Sequence, residues 1–280
     1  MEMTRNSSLK KDVRARMAAT GENYTTALRA VTGRDGGGAR SPIASALKPG
    51  TVTIAVCGGG MSNTALMLPE VLRLASAGHP LVIRPGQREG IIELPSLVDL
   101  AVVAGTLPLD QASAAANEDG LAVLLAAVAE TQVAARHLDG AMGRTTLVSE
   151  IQQLQAEYAK PAIIWVQDVQ VAGAVAIAGD AGPEVQVAAL LDVAQQSGAI
   201  IAGGHCMPSE YEPGWENVAA AASEAFVIDW ADDSLDPLDQ PRDGVLIHVV
   251  GGIRTDTIPW RVDHRPFSWR YDYLQSRQAR

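Results

Sequence analysis

Residues 51–84, TVTIAVCGGGMSNTALMLPEVLRLASAGHPLVIR, constrain this chain more than any other stretch. The β-branched apolar run TVTIAVC (51–57) meets three consecutive glycines. A helical pattern over 63–78 follows and ends at a glycine. A second apolar strand, PLVIR, occupies 80–84. A strand that enters a helix through glycine and is followed by another apolar strand points to a mostly parallel sheet with helices on its faces. Pro69 lies within the helical pattern and is expected to bend that helix or displace its first turns.

The alternation continues along the chain. LAVLLAAVAETQVAARHL (121–138) is apolar on nearly all sides and reads as a well-buried helix. Leu147, Ile151, Leu154 and Tyr158 form the stripe of another helix, with Thr145 or Thr146 placed to cap it. AIIWVQ (162–167) and AIIAGG (199–204) read as strands around a helix at 184–198. AFVIDWA (225–231), GVLIHVV (244–250) and TIPWRVD (257–263) read as strands joined by tight turns, an antiparallel extension of the sheet. No internal repeat is visible. Aromatic residues make up 4% of the chain against 47% hydrophobic residues overall, so Ala, Val, Leu and Ile must build the core.

At 280 residues the chain fits one large α/β domain or two small ones. Its net charge of −10 argues against a generally basic nucleic-acid surface. The charge is uneven. Residues 1–46 hold eight basic residues, among them Lys10, Lys11, Arg14 and Arg16, against four acidic ones, a net +4 that leaves −14 for the remainder. Residues 9–31 read as two short helices broken at Gly21, and TGRDGGGARSP (32–42) as a flexible linker. A basic helical arm with its linker, 1–46, is therefore expected to pack little against a body at 47–280, and any contact with DNA is expected in the arm. The alternative for the arm is a solvated face without a partner.

Cys57 and Cys206 are the only cysteines, so no disulfide framework is implied and a reducing cytoplasm is expected. The N-terminus has no apolar signal core. No run reaches the roughly 18 apolar residues of a membrane span.

The glycine turn stands where a phosphate-binding loop would be. That loop, G-x-x-x-x-G-K-[ST], wraps phosphates in backbone N–H groups, offsets their charge with lysine and holds Mg²⁺ with its hydroxyl. Here the eight positions read Cys57, Gly58, Gly59, Gly60, Met61, Ser62, Asn63 and Thr64, and only the last fits. A plain glycine turn is the competing reading.

The wider stretch LKPGTVTIAVCGGGMSNTALMLPEVLRLASAGHPLVI resembles the start of the motor domain of DnaB-like replicative helicases, a branch of the RecA-like ATPases. Leu47, Pro49, Gly50, Met61, Thr64, Ala65 and Leu66 match that family, while Ser62 and Asn63 replace its glycine and lysine. The resemblance continues through EIQQLQAEYAKPAIIWVQDVQ and AQQSGAIIAGG to TIPWRVDHRPFSW, about residues 47–269, and rests on element order and spacing. It implies a RecA-like α/β fold, with a mostly parallel sheet flanked by helices, antiparallel C-terminal strands and a short helical N-terminal appendage.

Most of the functional positions implied by the resemblance are altered. Gln87 stands where the family has its catalytic glutamate, with Glu89 two residues away, and an amide is not a general base near neutral pH. Gln167 takes the place of the aspartate that organises Mg²⁺. Asp168 follows it, on the opposite face of a strand unless a bulge intervenes. Gln170 matches the family's final glutamine in that run, and His205 replaces its sensor glutamine. Val249 and Gly251 fall at the lysine and arginine that reach a neighbouring subunit, with Arg254 about one turn out of register.

The leading expectation is therefore a catalytically inactive homologue that acts as an assembly or regulatory scaffold, associating with itself or a related protein. No cofactor is expected. One alternative is a working ATPase or helicase-like enzyme that uses ATP and Mg²⁺ at a rearranged site with Thr64, Asp168, Glu89 and Arg254. Another is a DNA-binding adaptor using the basic arm. The family's strand order would also bring Cys57 beside His205 and Cys206. Residues 58–64, with a protonated His205, would then form a weak anion pocket.

Other chemistry finds less support. His79, His137, His205, His248 and His264 show no metal-ligand spacing. The acidic stretch 229–243 reads as a solvated connection. Ser62 lacks the glycine two residues later that a nucleophile elbow requires. Trp215, Trp260 and Trp269 fit core or interface positions better than base-stacking ones.

Overall fold

The computed structural model describes residues 42–57, 60–84, 87–88, 91–92, 95–116, 121–130, 135–137, 143–166, 169, 182–206, 214–230 and 242–270. The chain divides into Met1–Pro42 and a compact unit, Ile43–Arg280. The helices expected over 9–31, and with them Lys10, Lys11, Arg14 and Arg16, lie outside the described residues. Helix α1 (Pro42–Ala46) belongs to the body, because Ile43 and Ala46 are fully buried in its core. The body thus begins where the 32–42 linker ends, four residues before the start of the expected 47–280 body.

Strand β1 (Thr51–Cys57) leads to helix α2 (Gly60–Ser76) and strand β2 (Leu81–Arg84). Two short strands, β3 (Gln87–Arg88) and β4 (Ile91–Ile92), form a separate antiparallel ribbon. Helices α3 (Pro95–Ala104), α4 (Leu109–Ala115) and α5 (Leu121–Glu130) precede strand β5 (Ala135–His137). Helix α6 (Arg144–Tyr158), strand β6 (Ile163–Val166), helix α7 (Pro183–Ser197) and strand β7 (Ile200–Cys206) continue the alternation. Helix α8 (Trp215–Ala221) and strands β8 (Glu224–Trp230), β9 (Arg242–Val250) and β10 (Ile253–Val262) complete the body, followed by a 3₁₀ turn at Arg265–Phe267.

The main sheet has eight strands in the order β10-β9-β8-β1-β7-β6-β2-β5. From β8 to β5 every pairing is parallel. Strands β9 and β10 add on antiparallel. This is the mostly parallel sheet with an antiparallel extension that the apolar runs predict. The β9–β10 turn is Gly251-Gly252, with φ of +56° and +80°. A two-residue hairpin needs positive φ at both central positions to match the strand twist, and glycine adopts it without strain.

Side-chain alternation along β1 separates two cores. Val52, Ile54 and Val56 face α6, α7 and α8, packing with Leu147, Ile151, Val187, Leu190 and Val218. Ala55 and Cys57 face α2 and α3, with Leu66, Met67, Val71 and Leu100. Each such fully buried Val, Leu or Ile contributes roughly 1.5–3 kcal/mol. Small and branched residues thereby replace the missing aromatic mass.

Three local expectations change. Of the helix read over 121–138, Leu121–Glu130 is α5, while 135–137 is β5, which pairs with β2. Sheet hydrogen bonding at an open edge there outweighs local helix propensity. Helix α6 starts after Gly143, so Thr145 and Thr146 lie inside it and cap nothing. Helix α2 begins at Gly60, three residues before the expected start, and continues to Ser76 with Pro69 in its interior.

The segment after β10 returns to the α2–α3 face, where Phe267 and Trp269 enter the core. Asp99 of α3 is completely buried and accepts hydrogen bonds from Trp269 Nε1 (3.1 Å), Arg270 Nε (3.2 Å) and Arg270 Nη2. Burial pushes the Asp99 carboxyl above its ordinary range, against the opposing pull of Arg270 and Trp269. Substituting Arg270→Met strands this carboxylate, which should cost about 3–5 kcal/mol at neutral pH. The Asp99 pKa rises further in that variant, so the loss should shrink as pH falls toward the unfolded carboxyl value near ~4. Denaturant titrations of both proteins across that range check the sign.

Candidate functional site

The glycine stretch follows β1, which lies between β7 and β8 in the sheet. Gly58 and Gly59 lie outside the described residues. Gly60 and Met61 open α2, and the next three residues turn inward: Ser62 is 8% exposed, while Asn63 and Thr64 are fully buried.

Asn63, at the position of the phosphate-binding lysine, is engaged within the fold. Its Nδ2 donates to the His205 carbonyl oxygen at 2.8 Å. The β6–β7 pairing ends with Val166 opposite Gly203, so the amide meets β7 two residues beyond that point. Asn63 Oδ1 is buried without a hydrogen-bond partner among the described residues. Ser62 Oγ lies 2.9 Å from Nε2 of the buried His264, just beyond the end of β10. The first turn of α2 thus joins β7 through one side chain and the C-terminal segment through the next.

The strand order brings the loop-bearing strand beside β7, with Cys57 opposite Cys206 and Val56 opposite His205. His205 reaches α2 through its backbone carbonyl. Its register with Val56 assigns the imidazole to the face covered by α6 and α7, away from α2. The first turn of α2 contains no charged side chain, leaving the helix dipole as its electrostatic attraction for an anion.

Of the remaining expected positions, some fall on described elements and others do not. Gln87 pairs through its backbone with Ile92 in the β3–β4 ribbon. Glu89, Gln167, Asp168 and Gln170 lie outside the described residues. Val249 is buried in β9, and Gly251 forms the hairpin turn. Arg254 donates to Thr257 Oγ1 from Nε (3.1 Å) and Nη2 (2.6 Å), along the exposed β10. No group of three metal-ligating side chains occurs among the described residues, nor is any helix there long and apolar enough to cross a membrane.

Sequence reasoning missed His264 as a neighbour of the loop, and no local pattern marks it. Next to it, partial burial raises the Asp263 carboxyl, but hydrogen bonds from Arg265 outweigh this and hold it below its ordinary value. Removing the Ser62 hydroxyl should leave a buried imidazole nitrogen without this hydrogen bond. Ser62→Ala is expected to cost about 1–3 kcal/mol, whereas His264→Ala with Ser62→Ala should cost less than the sum of the single changes. A double-mutant cycle by chemical denaturation measures the coupling.

No protein-family model matches this sequence, and no curated protein matches it. Solved structures do resemble it. One, described as an ATPase domain, superimposes with a TM-score of 0.53 at 14% identity, covering 77% of this chain and 81% of that one. The structure of a DnaB-like replicative helicase and its interactions with primase matches with a TM-score of 0.51 at 12% identity, covering 92% and 73%. The central loop-bearing strand, the parallel sheet and the antiparallel C-terminal strands together give this chain the RecA-like fold of DnaB-like helicase ATPase domains.

Proposed function

We propose that this chain is a catalytically inactive homologue of DnaB-like ATPases, a scaffold for assembly or regulation that associates with itself or a related protein. The observation that carries this reading is Asn63, neutral, fully buried and bonded to β7 where the phosphate-binding lysine would stand. A lysine at that position would offset phosphate charge. An amide turned into the fold does not. Gln87 and Gln167 at the base and metal positions support the same conclusion, because neither amide supplies a proton acceptor or an anionic Mg²⁺ ligand.

Binding of ATP and ADP, with and without Mg²⁺, followed by a turnover assay, tests this function. No turnover is expected. Mg²⁺-dependent hydrolysis on the order of 1 s⁻¹ or faster would instead establish the rearranged ATPase. Asn63→Lys alone should not restore hydrolysis, because the base and metal ligands remain absent.

The charge asymmetry favours a second role beside the scaffold, with the N-terminal arm contacting DNA. Residues 1–46 carry net +4 on a chain of net −10, so DNA attraction must concentrate there. If Lys10, Lys11, Arg14 and Arg16 each neutralise one phosphate, changing all four to Ala should reduce the slope of log affinity against log salt by about 3.6. Fluorescence anisotropy with labelled duplex DNA measures this slope. An unchanged slope would exclude these residues as the DNA contact.

A further inference from the structure

Strand β10 ends the eight-stranded sheet and, among the described residues, pairs on its β9 side alone. Most of its ten residues are exposed. Val250 and Ile253, which flank the hairpin turn, are exposed as well and add apolar surface at its tip. A long exposed edge offers its backbone N–H and C=O groups to another chain and is a template for strand addition. Features within 254–259 work against that.

The first is a bulge. Arg254 faces Val249 and Asp256 faces His248, so Thr255 is an extra residue in β10. Its hydroxyl lies 3.1 Å from His248 Nδ1 and 3.2 Å from the His248 carbonyl oxygen. A bulge disrupts the ladder locally and increases the twist of the strand.

The second is a pair of disabled donors. Pro259 stands opposite Val245. Proline has no N–H, so it leaves the β9 ladder whole only where its nitrogen faces the open edge. Backbone groups two residues apart point to the same side of a strand, so the Thr257 N–H faces that edge too. There it donates to Asp256 Oδ1 at 2.7 Å. Of two successive outward positions, one lacks a donor and the other has its donor occupied. The Arg254 guanidinium, bonded to Thr257 Oγ1, adds a charge that an incoming strand would have to desolvate.

We propose that Asp256 and Pro259 guard the β10 edge, keeping a second copy of this chain from adding its own β10 there. A second copy is the occupant to exclude because every copy carries the same exposed strand, and two such edges related by a twofold axis present matching surfaces. This inference rests on backbone geometry and is independent of nucleotide binding. It directs the self-association proposed above to a different surface of the body.

The test compares the full chain with Asp256→Ala, Pro259→Val and the double variant, by sedimentation velocity over a concentration series. Freeing two outward donors should tighten self-association of the double variant by about tenfold or more, with smaller gains in the single variants. Amide hydrogen exchange should show new protection in β10 as the double variant is concentrated. Adding Thr257→Pro removes an outward donor again and should reverse the gain. Unchanged association in variants with native circular dichroism would overturn the proposal, as would a gain that Thr257→Pro leaves intact. Protection of β10 on concentrating the unaltered chain would overturn it too. If the double variant does not fold, the single variants decide by the same criteria.

Discussion

The body depends on enclosing β1. Residues 52–57 are buried, both strand edges are paired, and helices cover both faces. The β7 and β8 ladders satisfy backbone polar groups that would be costly to leave unpaired in this interior. Narrow side chains suit a strand covered on both sides, which explains why Val, Ile and Ala occupy positions that bulky aromatics would crowd. An enclosed strand presents no side chains to solvent along its length. Chemistry attached to β1 must therefore lie at its end, where the glycine turn leaves the sheet.

At that end, the buried polar side chains have become part of the scaffold. Asn63 binds β7, and Ser62 meets His264 from a segment that crosses back after the hairpin. The first turn of α2 has no charged side chain with which to offset phosphate charge. A helix N-terminus contributes about 0.3–1 kcal/mol toward an anion at an exposed site. Micromolar binding corresponds to about 8.2 kcal/mol. The dipole alone is much too weak for a tight triphosphate site.

The C-terminal segment links this site to α3. His264 meets α2, Phe267 and Trp269 enter the apolar cluster, and Arg270 with Trp269 reaches Asp99 on α3. The Arg270–Asp99 pair lies in the interior, where breaking one partner leaves an uncompensated charge. These contacts hold the segment beside the first turn of α2.

The β-branched run at 51–57, the three glycines and the helical stripes at 147–158 and 184–198 determine the principal elements locally, because each carries its own periodicity or backbone preference. The absence of lysine from the loop is equally legible. Residues 135–137 contain no comparable signal, and only an open edge beside β2 makes them a strand. Ser62 and His264 are 202 residues apart, and Cys57 meets Cys206 only in the register of two separated strands. Tertiary structure decides these contacts because remote segments must pack together to bury apolar surface and satisfy their hydrogen bonds. Local propensity specifies the elements; those shared requirements select which residues meet.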